Sequence, residues 1–539
     1  MVEYEAFTYL SSLAAADPVK TVFVLAPEAS VTSAADVEAF VCASGWVDVV
    51  EGDGAVLIAP VMENSWDGCP DDLLMNIYRE RRRDFRVASG RGIPGSGDTA
   101  WMWETLLFVA GYAEGANVAG SCMLAHPGFA AATVMVDGVP RDLSALEAPS
   151  DHWLVPDAVG YNLRNRDVPV AAWFMGAAAA ETELMDALAD IDGAEAHEER
   201  DCQGFATRVL RNPAHPAWSI LATPGLMGFD PIIAHVAMEE LFCRTIRWKN
   251  GPDGTLSSHI ARADYEREGG YRHARLAGTA GVYHYAVYLP RDMEPADASG
   301  LPLVISLHGR GEPTWLFCQK NGWEDLADET RSFGVLLPDS PGNIWNIERD
   351  EDALAQMVDE VCGAYGFDAS RVYLTGFSNG AVMTAQMATT RPDLFTAISP
   401  WNSPGAAALA GGLLGDYEIC PTFSDSSYEM PAWIAYGDRD EKAPVAGDAL
   451  LGAFVPSCGC EAAGVELDAC YAYPVRAGFM NPERMRTTVF ENGRGERRVA
   501  FTLVENMPHG AYADEARAAW LFMKGFRRVG GAKTVEVIV

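Results

Sequence analysis

The sequence predicts an α/β protein of two tandem domains, each a mostly parallel sheet flanked by helices. Three observations predict it. Short, apolar, β-branched runs alternate with helical segments, the pattern of βαβ units. One such run feeds a helix through a G-x-S-x-G turn, Gly376–Phe377–Ser378–Asn379–Gly380. A series of short motifs also recurs in the same order in both halves. At 539 residues the chain is too long for one ordinary core.

Composition narrows the function. Hydrophobic residues make up 49% and charged residues 21%, a globular balance. No stretch of about 18 residues is uninterruptedly apolar, so no membrane span is expected. The N-terminus has two early glutamates and no basic region, unlike a signal peptide, and a cytoplasmic location is expected. A net charge of −35, from 75 acidic and 40 basic residues, argues against nucleic acid or an anionic membrane as partner. Eleven scattered cysteines suit a reducing compartment. Cys458, Cys460 and Cys470 form the one cluster. It is short of the four ligands of a structural zinc site, with no histidine nearby in sequence, so no metal is expected.

In chain order, residues 1–20 read as a helical or mixed lead-in. Strands are expected at Val22–Ala26, Ala55–Ala59, Thr133–Val136 and Val168–Met175. Helices are expected at Ala34–Cys42, Ala100–Tyr112, Thr182–Ile191 and Ile232–Ile246, with a polar, Arg-rich stretch at Pro70–Val87 and a Gly/Ser loop at Ala88–Asp98. The breakers between Lys249 and Thr255 mark a boundary, giving domains 1–250 and 271–539 with a linker at 251–270. Tyr271–Leu276 and Val282–Leu289 read as an antiparallel entry pair. Buried strands follow at Pro302–Leu307, Gly334–Pro338, Val372–Thr375, Leu394–Ile398, Ala432–Tyr436 and Val499–Leu503. Leu354, Met357, Val358, Val361, Cys362 and Tyr365 fall on one helical face, and a last helix spans Ala513–Arg527.

The repeat pairs Ser44-Gly45-Trp46 with Asn321-Gly322-Trp323, Trp66 with Trp345, Pro169–Gly176 with Pro431–Gly437, and Pro224 with Pro508. Where the second copy has His308-Gly309, the first has Ala26-Pro27. The elbow of the first copy is expected at Val118–Leu124, around Ser121. Ala179 stands where an aspartate would be and Gly225 where a histidine would be. The first domain therefore reads as a degenerate copy of the second, expected to shape the site, pack on the second domain or form homo-oligomers.

The G-x-S-x-G turn lies between a strand and a helix, the setting of a nucleophile elbow, which marks Ser378 as the nucleophile. Serine needs a base, and from Leu289 onward the chain has only His308 and His509. His509, after a late strand, is the expected base, and His308 the group that orients its own loop. The acid should leave the strand between nucleophile and base. Asp440 has the G-x-x-D spacing and is preferred, with Asp438 as the alternative. Oxyanion donors are expected from the backbone N–H of Asn379 and from Arg310 or Gly309. Arg310 could instead meet an acidic substrate through its side chain. His308, Trp345, Trp401 and Asn402, at strand ends on the same rim, are candidate substrate contacts.

The segments LHGRG, NGWEDLADE, GVLLPDSPGNIW, DASRVYLTGFSNGAVMT, RPDLFTAIS, YGDRDEKAPV and MPHGA together resemble the poly(3-hydroxybutyrate) depolymerase and feruloyl-esterase branch of the α/β-hydrolases. The resemblance covers about Tyr271–Arg528 and implies serine esterase machinery. That branch is often secreted and disulfide-bonded. Without a secretion signal, a carboxylesterase acting inside the cell on a small or oligomeric ester is expected, through an acyl-enzyme on Ser378. The alternatives are a serine peptidase of the same fold and a catalytically silent binding or scaffold protein. No Walker loop, G-x-G-x-x-G after a strand or metal spacing appears, and no cofactor is expected.

Overall fold

Runs that are apolar at every position make strands covered on both faces, as the interior of a parallel sheet requires. A computed structural model of the chain describes residues 4–14, 18–62, 65–88, 101–267, 270–278, 281–404, 422–441, 443–467 and 484–538. The chain divides into two compact units, Met1–Ala261 and Arg262–Val539.

The strands of the first unit are β1 (Ala6–Leu10), β2 (Pro18–Leu25), β3 (Val56–Pro60), β4 (Trp101–Tyr112), β5 (Ala132–Val136), β6 (Ala171–Met175), β7 (Ala196–Cys202), β8 (Phe205–Arg211) and β9 (Ser219–Thr223). They form one sheet in the order β1-β3-β2-β4-β5-β6-β9-β8-β7, and a hairpin of β10 (Thr245–Trp248) and β11 (Thr255–Ser258) follows. The strands at the centre, from β3 across to β9, run parallel. β1 pairs antiparallel at one edge, and β8 and β7 do so at the other.

The second unit contains β12 (Tyr271–Gly278), β13 (Gly281–Tyr288), β14 (Leu303–Leu307), β15 (Gly334–Pro338), β16 (Val372–Phe377), β17 (Ala397–Trp401), β18 (Ala432–Gly437), β19 (Val465–Leu467), β20 (Met485–Glu491) and β21 (Arg497–Val504). Their order is β12-β13-β15-β14-β16-β17-β18-β21-β20-β19. Leaving out β12, which extends the entry pair, this is the order and the sequence of directions of the first sheet, strand for strand. The chain is thus two tandem α/β-hydrolase-like domains. The β12–β13 pair is antiparallel, as its two runs predict. The core of the second unit joins strand residues Ile305, Leu336 and Leu374 to one helical face carrying Leu354, Met357 and Val361.

Several expected elements differ, among them the strand expected at Leu394–Ile398, which lies at Ala397–Trp401. The segment 101–112 is strand β4, not a helix, because it fills an interior slot of the sheet between β2 and β5, where a run apolar on both faces is buried. The described part of residues 1–20 holds β1 and the start of β2. The helix expected to reach Ile246 ends at Glu240, and Thr245 begins β10. The stretch after Gly254 contains β11, which pairs back onto β10. Most of the Gly/Ser loop at 88–98 lies outside the described residues, as does Cys470.

Candidate active site

β16 delivers Ser378 in a left-handed backbone conformation (φ +54°, ψ −115°), and the helix Asn379–Thr390 starts at once. Strand and helix approach too closely for side chains on the flanks. A Cβ on Gly376 would lie 2.4 Å from the Gly380 carbonyl oxygen, and one on Gly380 would lie 2.4 Å from the Leu307 oxygen. The strained turn lifts Ser378 off the sheet edge, at the N-terminal end of the helix.

Two further loops meet it there. His509, after β21, stands with Nε2 2.9 Å from Ser378 Oγ and Nδ1 2.6 Å from Asp440 Oδ2. Asp440 is buried, and its backbone N–H donates to Gly437 O at the end of β18. A proton on Nδ1 is held by the carboxylate, which leaves Nε2 as acceptor for the serine hydroxyl. The structure thus brings Ser378, His509 and Asp440 into one hydrogen-bonded chain. Asp438 does not join it. Its carboxylate faces Arg439 and Arg486, each at 3.7 Å.

The loop after β14 is held by His308. Nδ1 of this buried ring lies 2.7 Å from Gly309 O, and Nε2 accepts the Ser340 N–H at 3.1 Å, so Nδ1 carries the proton. With the Gly309 carbonyl pinned, the trans peptide turns the Arg310 N–H to the opposite side. Gly311 N–H donates to Asn343 O at 2.7 Å. The Asn379 side chain accepts the Trp345 N–H (2.6 Å) and donates to Trp345 O (3.2 Å), while Trp345 Nε1–H donates to His308 O (3.1 Å). The elbow and the loop carrying the candidate oxyanion donors are therefore tied together through Trp345. Arg310 is half-buried, and burial lowers its guanidinium pKa.

The residues expected as substrate contacts, His308, Trp345, Trp401 and Asn402, are all buried in this structure. Trp401 stacks on Trp323 at 6.1 Å and donates to Ser399 Oγ, so it is a core residue. Asn402 donates to Gly510 O and accepts from Gly437 N–H, each at 2.8 Å. Sequence reasoning misses other groups. The buried Lys320–Glu312 ion pair (2.7 Å) places Nζ 4.4 Å from the ring centroid of Phe377, which in turn packs on His509 at 5.2 Å. The signals for them are weak: Glu312 directly follows H-G-R-G, and Phe377 is the variable second residue of the elbow motif.

The corresponding place in the first unit is built alike. β4 ends in Gly111-Tyr112-Ala113-Glu114-Gly115, and Ala113 (φ +52°, ψ −116°) has the conformation of Ser378. The elbow is thus here and not at 118–124. Ser121 lies within the helix Glu114–Ala125. Both glycines are kept, and alanine replaces serine. Trp66 Nε1–H donates to Ala26 O (2.9 Å) as Trp345 does to His308 O. Glu28 N–H, two residues past Ala26, donates to the Glu114 carboxylate at 3.3 Å. Alanines fill 177–180 after β6, and no histidine lies between Thr223 and Ile232.

Strand order, elbow and the Ser–His–Asp chain are those of an α/β-hydrolase. Sequence comparison points to the same class through ester hydrolases. Poly(3-hydroxyalkanoate) depolymerase C of Paucimonas lemoignei is 35% identical over 139 residues, 23% of this chain and 30% of that protein. Acetylxylan esterase A of Emericella nidulans is 32% identical over 125 residues, 21% of this chain and 40% of that protein. The chain thus spans well under half the length of these relatives. No family model matches the sequence. Among solved structures, an acetyl xylan esterase from Aspergillus awamori aligns with TM-score 0.34 and 17% identity, over 44% of this chain and 94% of that one. A thermostable esterase aligns with TM-score 0.34 and 17% identity, over 51% and 67%. The chain is similar to α/β-hydrolase esterases.

Proposed function

We propose that this chain is a serine carboxylesterase. The observation that carries the reading is the contact chain Ser378 Oγ–His509 Nε2–His509 Nδ1–Asp440, set at a strained elbow on a helix N-terminus. His509 takes the Ser378 proton as Oγ attacks the ester carbonyl. The Asn379 and Arg310 N–H groups receive the oxyanion, with Gly309 holding that loop. His509 then gives its proton to the leaving alcohol, and water activated by the same ring releases the acid from the acyl-enzyme. Relatives named acetylxylan esterase and poly(3-hydroxyalkanoate) depolymerase support an ester substrate, here taken as small or oligomeric. Among the described residues no helix is long and apolar enough to cross a membrane. Nine described cysteines are free thiols.

The test compares p-nitrophenyl acetate with peptide anilides. Ester turnover should exceed anilide turnover by at least about a thousandfold; parity would favour the peptidase reading.

In the same proposal the first unit is catalytically silent and serves in shaping, packing or homo-oligomer formation. Ala113 has no nucleophile, and the Glu114 carboxylate already takes the Glu28 N–H. Ala113→Ser should therefore add no second serine that labels with a fluorophosphonate. A second labelled site, found by peptide mapping, would show that the unit retains a working base.

A further inference from the structure

We propose that Asn402 is a positioning residue that holds the acid and base loops in register with the nucleophile, an inference that rests on the esterase reading. Asn402 follows β17, is buried, and sits in the left-handed region (φ +48°). Together with the residue before it, it reaches all three loops of the triad. Trp401 O, in the preceding peptide, accepts the Ser378 N–H at 2.9 Å. Asn402 Oδ1 accepts the N–H of Gly437, whose carbonyl in turn accepts the Asp440 N–H. Asn402 Nδ2–H donates to the carbonyl of Gly510, the residue after His509. Its own N–H donates to Ala435 O at 2.8 Å. One side chain thus spans the acid turn and the histidine loop, while its neighbour holds the nucleophile.

The first unit shows which feature of the amide matters. Asp137 follows β5 in the same conformation (φ +58°), and its N–H donates to Met175 O as that of Asn402 does to Ala435 O. Its carboxylate accepts from Ala177 N–H (2.8 Å) and from Gly228 N–H (2.6 Å). Two donors face that position, so a carboxylate fits. In the second unit one donor and one acceptor face it, and only a side chain carrying both C=O and N–H satisfies them. The base loop has changed the group it presents, and Asn402 matches the change.

The experiment measures the rate of fluorophosphonate labelling at Ser378, and kcat and KM on p-nitrophenyl acetate per titrated site, for wild type, Asn402→Ala and Asn402→Asp. Displacing the imidazole by about an ångström should lower the labelling rate and kcat by about a hundredfold. KM should stay within about twofold. The near-isosteric Asn402→Asp should behave like alanine, because its oxygen faces the Gly510 carbonyl. A merely structural role would lower the number of titrated sites and leave the rate at each site unchanged. Rates per site within about threefold of wild type in either variant would overturn the inference. Wild type that fails to label at Ser378 would overturn the esterase reading and this inference with it, whereas labelled wild type with unimpaired variants would overturn this inference alone.

Discussion

Replacing Ser378 by alanine is expected to lower ester turnover by about 10⁴-fold or more, with the protein still folded. The loss follows from the chemistry: without Oγ no acyl-enzyme forms, and what remains is the contribution of oxyanion donors and binding. That folding survives follows from the chain itself. Ser378 sits at φ +54°, a conformation costly for most residues, yet Ala113 holds φ +52° at the same place in the first unit. Alanine therefore fits the elbow without rebuilding it. The Ser378 hydroxyl has its contact with His509 Nε2, so its removal leaves a partly exposed imidazole nitrogen to water and not a buried unsatisfied group. The measurement is kcat/KM on p-nitrophenyl acetate beside a thermal melt. Activity within tenfold of wild type, at unchanged melting temperature, would mean that another nucleophile performs the reaction.

What sequence can show about this site depends on how local the cause is. Gly376 exists because strand and helix touch at the turn, a steric need that spans five residues, whereas Gly380 is needed because the helix start meets the end of β14 at Leu307 and His308. The order of Ser378, Asp440 and His509 along the chain is readable because two histidines after Leu289 leave little choice. The first unit's elbow escapes for a related reason. A search for serine finds Ser121, whereas the turn is kept by Gly111 and Gly115 with alanine between them. Strand β4 reads as a helix because twelve largely apolar residues give no period that separates a buried strand from a buried helix. Depth is not readable at all. Trp401 and Asn402 stand at a strand end and Trp345 in the loop that follows one, where both walls of a cleft and members of a core occur. The partners that bury Asn402 lie 35 and 108 residues further along the chain.

Asp440→Asn should lower kcat by about 10⁴-fold, and Asp438→Asn by less than about threefold. Both carboxylates leave the end of β18 two residues apart, and the sequence alone offers either as the acid. Their surroundings separate them. Asp440 is buried with Oδ2 2.6 Å from His509 Nδ1. An asparagine there can present its NH₂ to the ring and stabilise the tautomer with the proton on Nε2. The imidazole then has no lone pair for the Ser378 proton, although every heavy atom stays in place. Asp438 faces Arg439 and Arg486 at 3.7 Å near the surface, where an ion pair is worth about 0–1 kcal/mol and does not touch the reacting groups. The pair also controls for folding, because each change removes one charge from the same turn. A large loss in Asp438→Asn with little in Asp440→Asn, measured as kcat on one ester, would transfer the acid role to Asp438 and require the turn after Gly437 to rearrange when substrate binds.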